Sequence, residues 1–280
     1  DYASSVLLPD GKPREYVARK FDQNLYAAGM ITPIGASAPG ATATVDARLF
    51  IGPQEEKVLE SIAPGLELVK DYGFFTILSK PLYWLLDKLH GFIGNWGWSI
   101  VALVVLLKIA FYWFNHKAYS SMAKMRTLSP KLEELKKRYP DDKEKLQVET
   151  MRMYREEKIN PLGGCLPMLI QMPVFFALYS ALSSTVEMRG APWIWWIKDL
   201  AAPDPYYILP ILMTASSLLQ VWLNPKPSDP TQAKLMWLMP LSFAFMFFFF
   251  PSGLVLYWVT NNLLSIAQQW SINRHLEKKK

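Results

Sequence analysis

The 280-residue sequence has a single cysteine, Cys165, and only three histidines, His90, His116 and His275, far apart along the chain. One cysteine excludes an intramolecular disulfide and a cysteine-built metal cluster. Histidines this scattered argue against a histidine metal site, and no nucleotide-binding motif occurs. No apolar signal-like stretch opens the chain, which starts at Asp1 rather than Met, so it reads as part of a longer protein. The most informative scarcity is of charge inside the long apolar runs. No Asp or Glu lies within any of them, and one lysine, Lys108, is their only basic residue.

What is present in abundance is apolar: 51% of residues are hydrophobic and 14% aromatic, with 11 Trp, yet 19% are charged. Apolar spans alternating with charged loops account for that mixture, and the expected fold class is a mainly α, polytopic membrane protein. Five spans are expected, at about 96–114, 162–186, 206–223, 235–250 and 254–272, since about 20 residues cross a bilayer of about 30 Å. The run 235–270 is too long for one crossing and is broken by Pro251-Ser252-Gly253. Residues 74–93 are amphipathic, with Thr76, Lys80, Asp87 and Gly91 on one helical face and Tyr83 and Trp84 suited to the headgroup level, so a helix lying in the interface is expected there. A first membrane span is the alternative for that segment.

Charge distribution orients the spans. The loop 115–160 holds twelve basic against eight acidic residues and the tail 274–280 four against one, whereas residues 1–95 hold nine against eleven. Basic loops stay on the cytoplasmic side, so an outside start and a cytoplasmic C-terminus are expected, and five spans have the matching parity. Basic residues that alternate with apolar spans, rather than gathering on one face, argue against nucleic-acid binding.

Residues 1–70 read as a soluble β-rich piece with strand candidates at 17–21, 24–31 and 42–51 and a short helix at 55–62 closed by Ala63-Pro64-Gly65. Residues 117–160 predict an antiparallel helical hairpin. Ser129 is its expected first N-cap ahead of Pro130. Tyr139-Pro140-Asp141-Asp142 is the turn, and Leu132, Leu135 and Tyr139 face Leu146, Thr150 and Met153. A solvated connector and a docking surface are equal readings of this hairpin.

Lys108 is the leading candidate site residue. A charge at the centre of a span costs about 2.5–3.5 kcal/mol on insertion scales, so it faces protein or a watery cavity by default. Snorkelling to the interface is the alternative. Gln171, Ser216, Gln220, Asn261, Ser265, Gln268 and Gln269 are polar span residues that line the same cavity in this reading. With no intramembrane carboxylate, Lys108 awaits either an anionic group on another molecule or water and span hydroxyls. Catalysis fits poorly: Pro251-Ser252-Gly253 is no serine-protease elbow, and no span carries a histidine to activate a serine. Leu162-Gly163-Gly164-Cys165 mimics a lipoprotein cleavage box but sits mid-chain, where it would not serve as one.

Six runs carry a resemblance across nearly the whole chain: Asn95-Trp96-Gly97, Ser121-Met122-Ala123-Lys124-Met125, Asn160-Pro161-Leu162-Gly163-Gly164-Cys165, Leu169-Ile170-Gln171-Met172-Pro173, Asp204-Pro205-Tyr206-Tyr207-Ile208-Leu209-Pro210, and Phe250-Pro251-Ser252-Gly253-Leu254-Val255-Leu256-Tyr257. In these the sequence resembles the YidC family of bacterial membrane-protein insertases, of the Gram-negative type. The resemblance implies a five-helix core at 96–273 around a hydrophilic groove, open to cytoplasm and lipid, and residues 1–70 as the C-terminal part of a truncated periplasmic β-sandwich. It puts Lys108 where many relatives carry arginine. It implies a substrate-contacting slide of Met172, Phe175, Tyr257 and Trp258. It implies a non-enzymatic insertase and chaperone of the inner membrane, without cofactor or metal. The implied partners are nascent membrane proteins, the ribosome, the general secretion channel, targeting factors and the lipid bilayer, with no sequence-specific nucleic-acid binding. A small-solute transporter or channel is the first rival reading, and an intramembrane hydrolase the second.

Overall fold

The computed structural model describes residues 3–8, 13–23, 25–69, 76–140, 142–157, 166–224 and 230–277. The chain forms two compact units, residues 1–71 with 184–186 and residues 72–183 with 187–280.

In the first unit, β1 (Ala3–Leu8) pairs antiparallel with β4 (Arg48–Pro53), and β2 (Glu15–Asp22) with β3 (Leu25–Ile31). β2 covers the strand expected at 17–21 and β3 that expected at 24–31 from Leu25 on, residue 24 lying outside the described residues. The strand expected over 42–51 forms only from Arg48, because β1, which sequence reading missed, supplies hydrogen-bonding partners to residues 48–53 and not to 42–47. Helix α1 (Glu56–Ile62) buries Leu59 against Leu66, with Phe50, Ile62 and Ala63 packed around them.

The second unit is helical. Helix α2 (Thr76–Ile93) buries Ser79, Tyr83 and Leu86, spaced four and three apart as one stripe, while Ile77, Trp84 and Phe92 stand exposed. The start of the expected segment at 74–75 lies outside the described residues. Helix α3 (Trp96–Ala110) is capped by Asn95, whose Oδ1 accepts the Trp98 N–H at 3.1 Å. The Asn95 amide also donates to the Pro192 and Trp193 carbonyls at 3.1 and 3.2 Å. Trp193 lies so close that a Cβ on Gly97 would stand 2.2 Å from its ring, which is why only glycine fits after Trp96.

The segment expected as a span over 96–114 is not one straight helix. Helix α3 ends at Ala110, and α4 (Tyr112–Thr127) leaves it at 70° through Phe111. No proline causes the bend. Instead α4 buries Ala118, Tyr119, Met122 and Ala123, and Tyr119 and Met122 pack on Ile272, so tertiary contact draws it off the α3 axis. Among the described residues no single helix is long and apolar enough to cross a membrane by itself; α3 and α4 meet that test only as this bent pair.

Helix α5 (Ser129–Arg138) follows at once. Ser129 is its first residue rather than its cap, since Leu128 at φ −88° and ψ −2° keeps the backbone nearly helical and leaves no extended residue to cap from. Helix α6 (Lys143–Glu156) is capped by Asp142, whose Oδ1 accepts the Lys145 N–H at 3.0 Å. Lys131, at the start of α5, bonds Glu157 just past the end of α6 at 2.6 Å, so the two helices run antiparallel. Leu132 and Thr150 are buried in that hairpin as expected. Its expected end at 158–160 lies outside the described residues, as do the 160–165 run and the last residues of the basic tail.

Helices α7 (Leu166–Ser184), α8 (Ile208–Leu223), α9 (Pro230–Phe247) and α10 (Ser252–Glu277) complete the bundle. Ile100, Leu103, Leu178, Met213, Leu254 and Val255 lie in its core. The loop between α7 and α8 seals one end. Ser252 and Gly253, at the start of α10, donate backbone N–H groups to the Ala202 and Leu200 carbonyls at 2.8 and 2.9 Å. Asp204, 1% exposed, accepts from Trp196 Nε1 and the Tyr206 and Leu209 amides at 2.8–3.0 Å. It thereby anchors Tyr207, a non-glycine residue in the left-handed region at φ 58°.

Gly97→Ala is expected to lower stability by about 1–3 kcal/mol through overpacking against Trp193, read by thermal unfolding in detergent; an unchanged midpoint would mean the ring moves freely. Asp142 supplies a pH test. Its carboxyl is held below the ordinary 3.8, chiefly by the Lys145 amide. A depressed folded pKa makes the cap's contribution fully present above the unfolded value and lost as pH falls through the folded one. NMR titration of Asp142 should therefore give a midpoint under 3.8, with Lys145 amide protection fading in the same range.

Candidate functional site

Toward the opposite end from the sealed loop, α3, α4, α7 and α10 line a small, partly open cavity of about 20 Å³. Val104, Leu107 and Phe111 form its apolar wall, with Val174 across from them. Lys108, Asn115, Gln171, Tyr257 and Asn261 supply its polar groups. No carboxylate is among these lining residues.

Lys108 stands in the last turn of α3, half-buried. A cation there is favoured by the partial negative charge at a helix C-terminus. Its Nζ donates to Ser265 Oγ at 2.7 Å, and Ser265 Oγ donates in turn to the Asn261 carbonyl at 2.7 Å. The ammonium is held by a neutral acceptor, and no carboxylate on the described cavity lining pairs with it. On the far wall Gln171 Nε2 donates to the Tyr257 hydroxyl, tying α7 to α10.

Of the residues expected from sequence, Lys108, Gln171, Asn261 and Ser265 come together. Gln220 does not line the cavity. The polar face of α8 that is engaged is Ser216 and Ser217, which accept from Asn262 Nδ2 at 3.1 and 2.9 Å. Gln269 bonds Asn224 Oδ1 at 3.1 Å on the same seam. The four slide residues separate. Met172 is 41% exposed on the outer surface, and Phe175 meets Trp258 edge-on with centroids 4.9 Å apart. Tyr257 is only 1% exposed and belongs to the cavity wall. Asn115 and Tyr119 were missed. They reach this region from α4, beyond the bend at Phe111, which no local sequence pattern announces.

Ser265→Ala is expected to cost about 1–2 kcal/mol, toward the low end for a bond to a charged group because the site is partly open. Ser265→Thr, which keeps the hydroxyl, should lose less than half of that. Equal loss in both variants, measured by denaturant unfolding in detergent, would show that packing and not the hydroxyl matters.

Comparison with known proteins adds the following. The family profile described as "60Kd inner membrane protein" matches residues 88–279, and that described as "YidC periplasmic domain" matches residues 2–85. "Membrane protein insertase YidC" of Cupriavidus taiwanensis is 60% identical over 279 residues, covering 100% of this chain and 50% of that protein. Proteins of the same name from Polynucleobacter asymbioticus and Aromatoleum aromaticum are 58% and 55% identical, covering 99% and 100% of this chain and 50% and 51% of theirs. The chain therefore spans about half the length of the relatives it matches. A crystal structure of an active YidC insertase with its first transmembrane domain resolved superimposes with a TM-score of 0.61 at 25% identity, over 88% of this chain and 57% of that one.

Proposed function

The chain belongs to the 60Kd inner membrane protein family, and from that premise we propose that it is the insertase core of a protein that moves nascent membrane proteins into the bacterial inner membrane and assists their folding there. The observation that carries this reading is the cavity: an ammonium answered, among the described residues, by a hydroxyl, beside amide side chains and with no carboxylate on the described lining. Such a site lowers the cost of bringing a short polar or acidic segment partway into the bilayer, because it offers water-like hydrogen bonds and an unneutralised positive charge. An acidic N-terminal tail pairs transiently with Lys108 while the following apolar helix slides outward past Met172 and the Phe175–Trp258 pair into lipid. Driving force comes from hydrophobic partitioning, aided by the membrane potential.

In this reading the chain crosses the membrane five times. Its spans are built on α3 with the start of α4, α7, α8, α9 and α10, and α2 lies in the outer interface. The N-terminal region, part of a periplasmic β-sandwich, faces the periplasm and the C-terminus the cytoplasm. The sealed loop at 189–207, clamped by Asp204, closes the groove toward the periplasm. The α5–α6 hairpin and basic tail meet ribosomes, targeting factors or the general secretion channel.

Charge exchange in the full-length protein tests the mechanism. Lys108→Arg should retain more than half of the insertion of a reporter with an acidic N-tail. Lys108→Glu should reduce it about ten-fold, the equivalent of ~1.4 kcal/mol, and should affect a neutral-tailed reporter far less. Equal insertion of both reporters by Lys108→Glu would remove the electrostatic step. A photoreactive side chain at Met172 that captures no nascent chain, in a protein that passes small solutes, would favour a channel instead.

A further inference from the structure

The cytoplasmic end of the helical unit carries a feature the insertion cavity does not use. Three tryptophans, Trp113, Trp222 and Trp270, are 58%, 61% and 56% exposed, and each has a cation over its ring. Lys117 Nζ stands 3.7 Å from the Trp113 centroid. The Arg126 guanidinium reaches Trp222 at 6.0 Å, and that of Arg274 reaches Trp270 at 5.3 Å. A ring face attracts a cation without cancelling its charge.

The three pairs share a level. Asn262 bonds Ser216 and Ser217, and Gln269 bonds Asn224, so α8 and α10 run parallel in a register that sets Trp222 and Trp270 roughly 4 Å apart along the axis, at 1.5 Å per residue. Gln268 Nε2 donates to the Tyr112 carbonyl at 3.5 Å, which brings the neighbouring Trp113 to the same height. Because α4 turns 70° away from α3, it runs across this end of the bundle and carries Lys117 and Arg126 along it.

The charges nearby are managed differently. In the α5–α6 hairpin, Lys131, Lys145 and Arg152 are answered by Glu157, Asp142, Glu149 and Glu156. Among the described residues, none of the three cations over tryptophan has a carboxylate within ion-pair distance. The hairpin neutralises itself and the belt does not.

We propose that this belt is a seat for anionic phospholipid headgroups, with the indoles at the headgroup level and Lys117, Arg126 and Arg274 taking the phosphates. The inference rests on the membrane reading above. Exposed indoles beneath the cations favour a lipid over an RNA backbone, since exposed rings at one height match an interface, where Trp is enriched. A basic residue at an anionic surface contributes about a five-fold preference.

The test uses the full-length protein in phosphatidylcholine vesicles containing spin-labelled phosphatidylglycerol or spin-labelled phosphatidylcholine, with the motionally restricted fraction of each compared. The wild type should select phosphatidylglycerol, less so as salt is raised. The K117Q/R126Q/R274Q variant should at least halve the selectivity averaged over all boundary lipids. K131Q/K145Q/R152Q, which removes as many charges from the self-neutralised hairpin, should leave it unchanged. Undiminished selectivity in the belt variant, an equal loss in the hairpin variant, or no selectivity in the wild type would overturn the proposal. So would a belt variant that loses ribosome co-sedimentation while keeping its lipid preference. Resistance to alkaline extraction is measured on the same vesicles; a protein that is extracted defeats the membrane reading itself, whereas one that stays and shows no selectivity defeats only the lipid seat.

Discussion

An ammonium group in an apolar helix bundle must be answered by something, and the nature of the answer shapes the rest of this molecule. Here it is the hydroxyl of Ser265, at 2.7 Å from Lys108. A carboxylate would have neutralised the charge and closed the site. A neutral acceptor satisfies the donor geometry and leaves the charge available. To bring Ser265 within reach, α10 must pack along α3 with its polar face inward. The bend of α4 brings Asn115 to the same space. The cavity is the space left between these commitments.

The two ends of the bundle treat charge in opposite ways. At the sealed end Asp204 is spent on backbone amides and an indole, with three donors within 3.0 Å, and so works as a structural clamp. The close approach of the Trp193 side chain to Gly97, 2.2 Å from where a Cβ would stand, reinforces it. At the other end the polar groups are amides and hydroxyls that exchange partners at little cost. One end is rigid by over-determination; the other offers adaptable hydrogen bonds and a free charge. That asymmetry suits a groove entered from one side.

Much of the helical unit was legible because strong local signals agreed with tertiary need. The broken run at Pro251-Ser252-Gly253 separates α9 from α10. The turn expected at 139–142 falls between α5 and α6. The failures share a cause. The α3–α4 bend has no proline or glycine to announce it, because it arises where Tyr119 and Met122 pack on Ile272, some 150 residues later. Strand β4 was drawn too long because its limits are set by β1 at the far end of the unit. Gln220 and Ser216 are four residues apart on one helix, and only the register with α10 decides that the serine is engaged.

Composition and spacing alone determined that the chain is mainly helical with a β-rich start, that its apolar runs carry one cation and no acid, and that basic loops lie between them. These follow from local propensity and from the cost of isolated charge in an apolar setting, which any fold must respect. Tertiary structure decided which hydroxyl answers Lys108, that Tyr257 turns into the cavity rather than onto the outer surface, and that three indoles with their cations come to one height. Such facts depend on how helices distant in sequence are set against one another, and helix register is a property of packed surfaces rather than of any single segment.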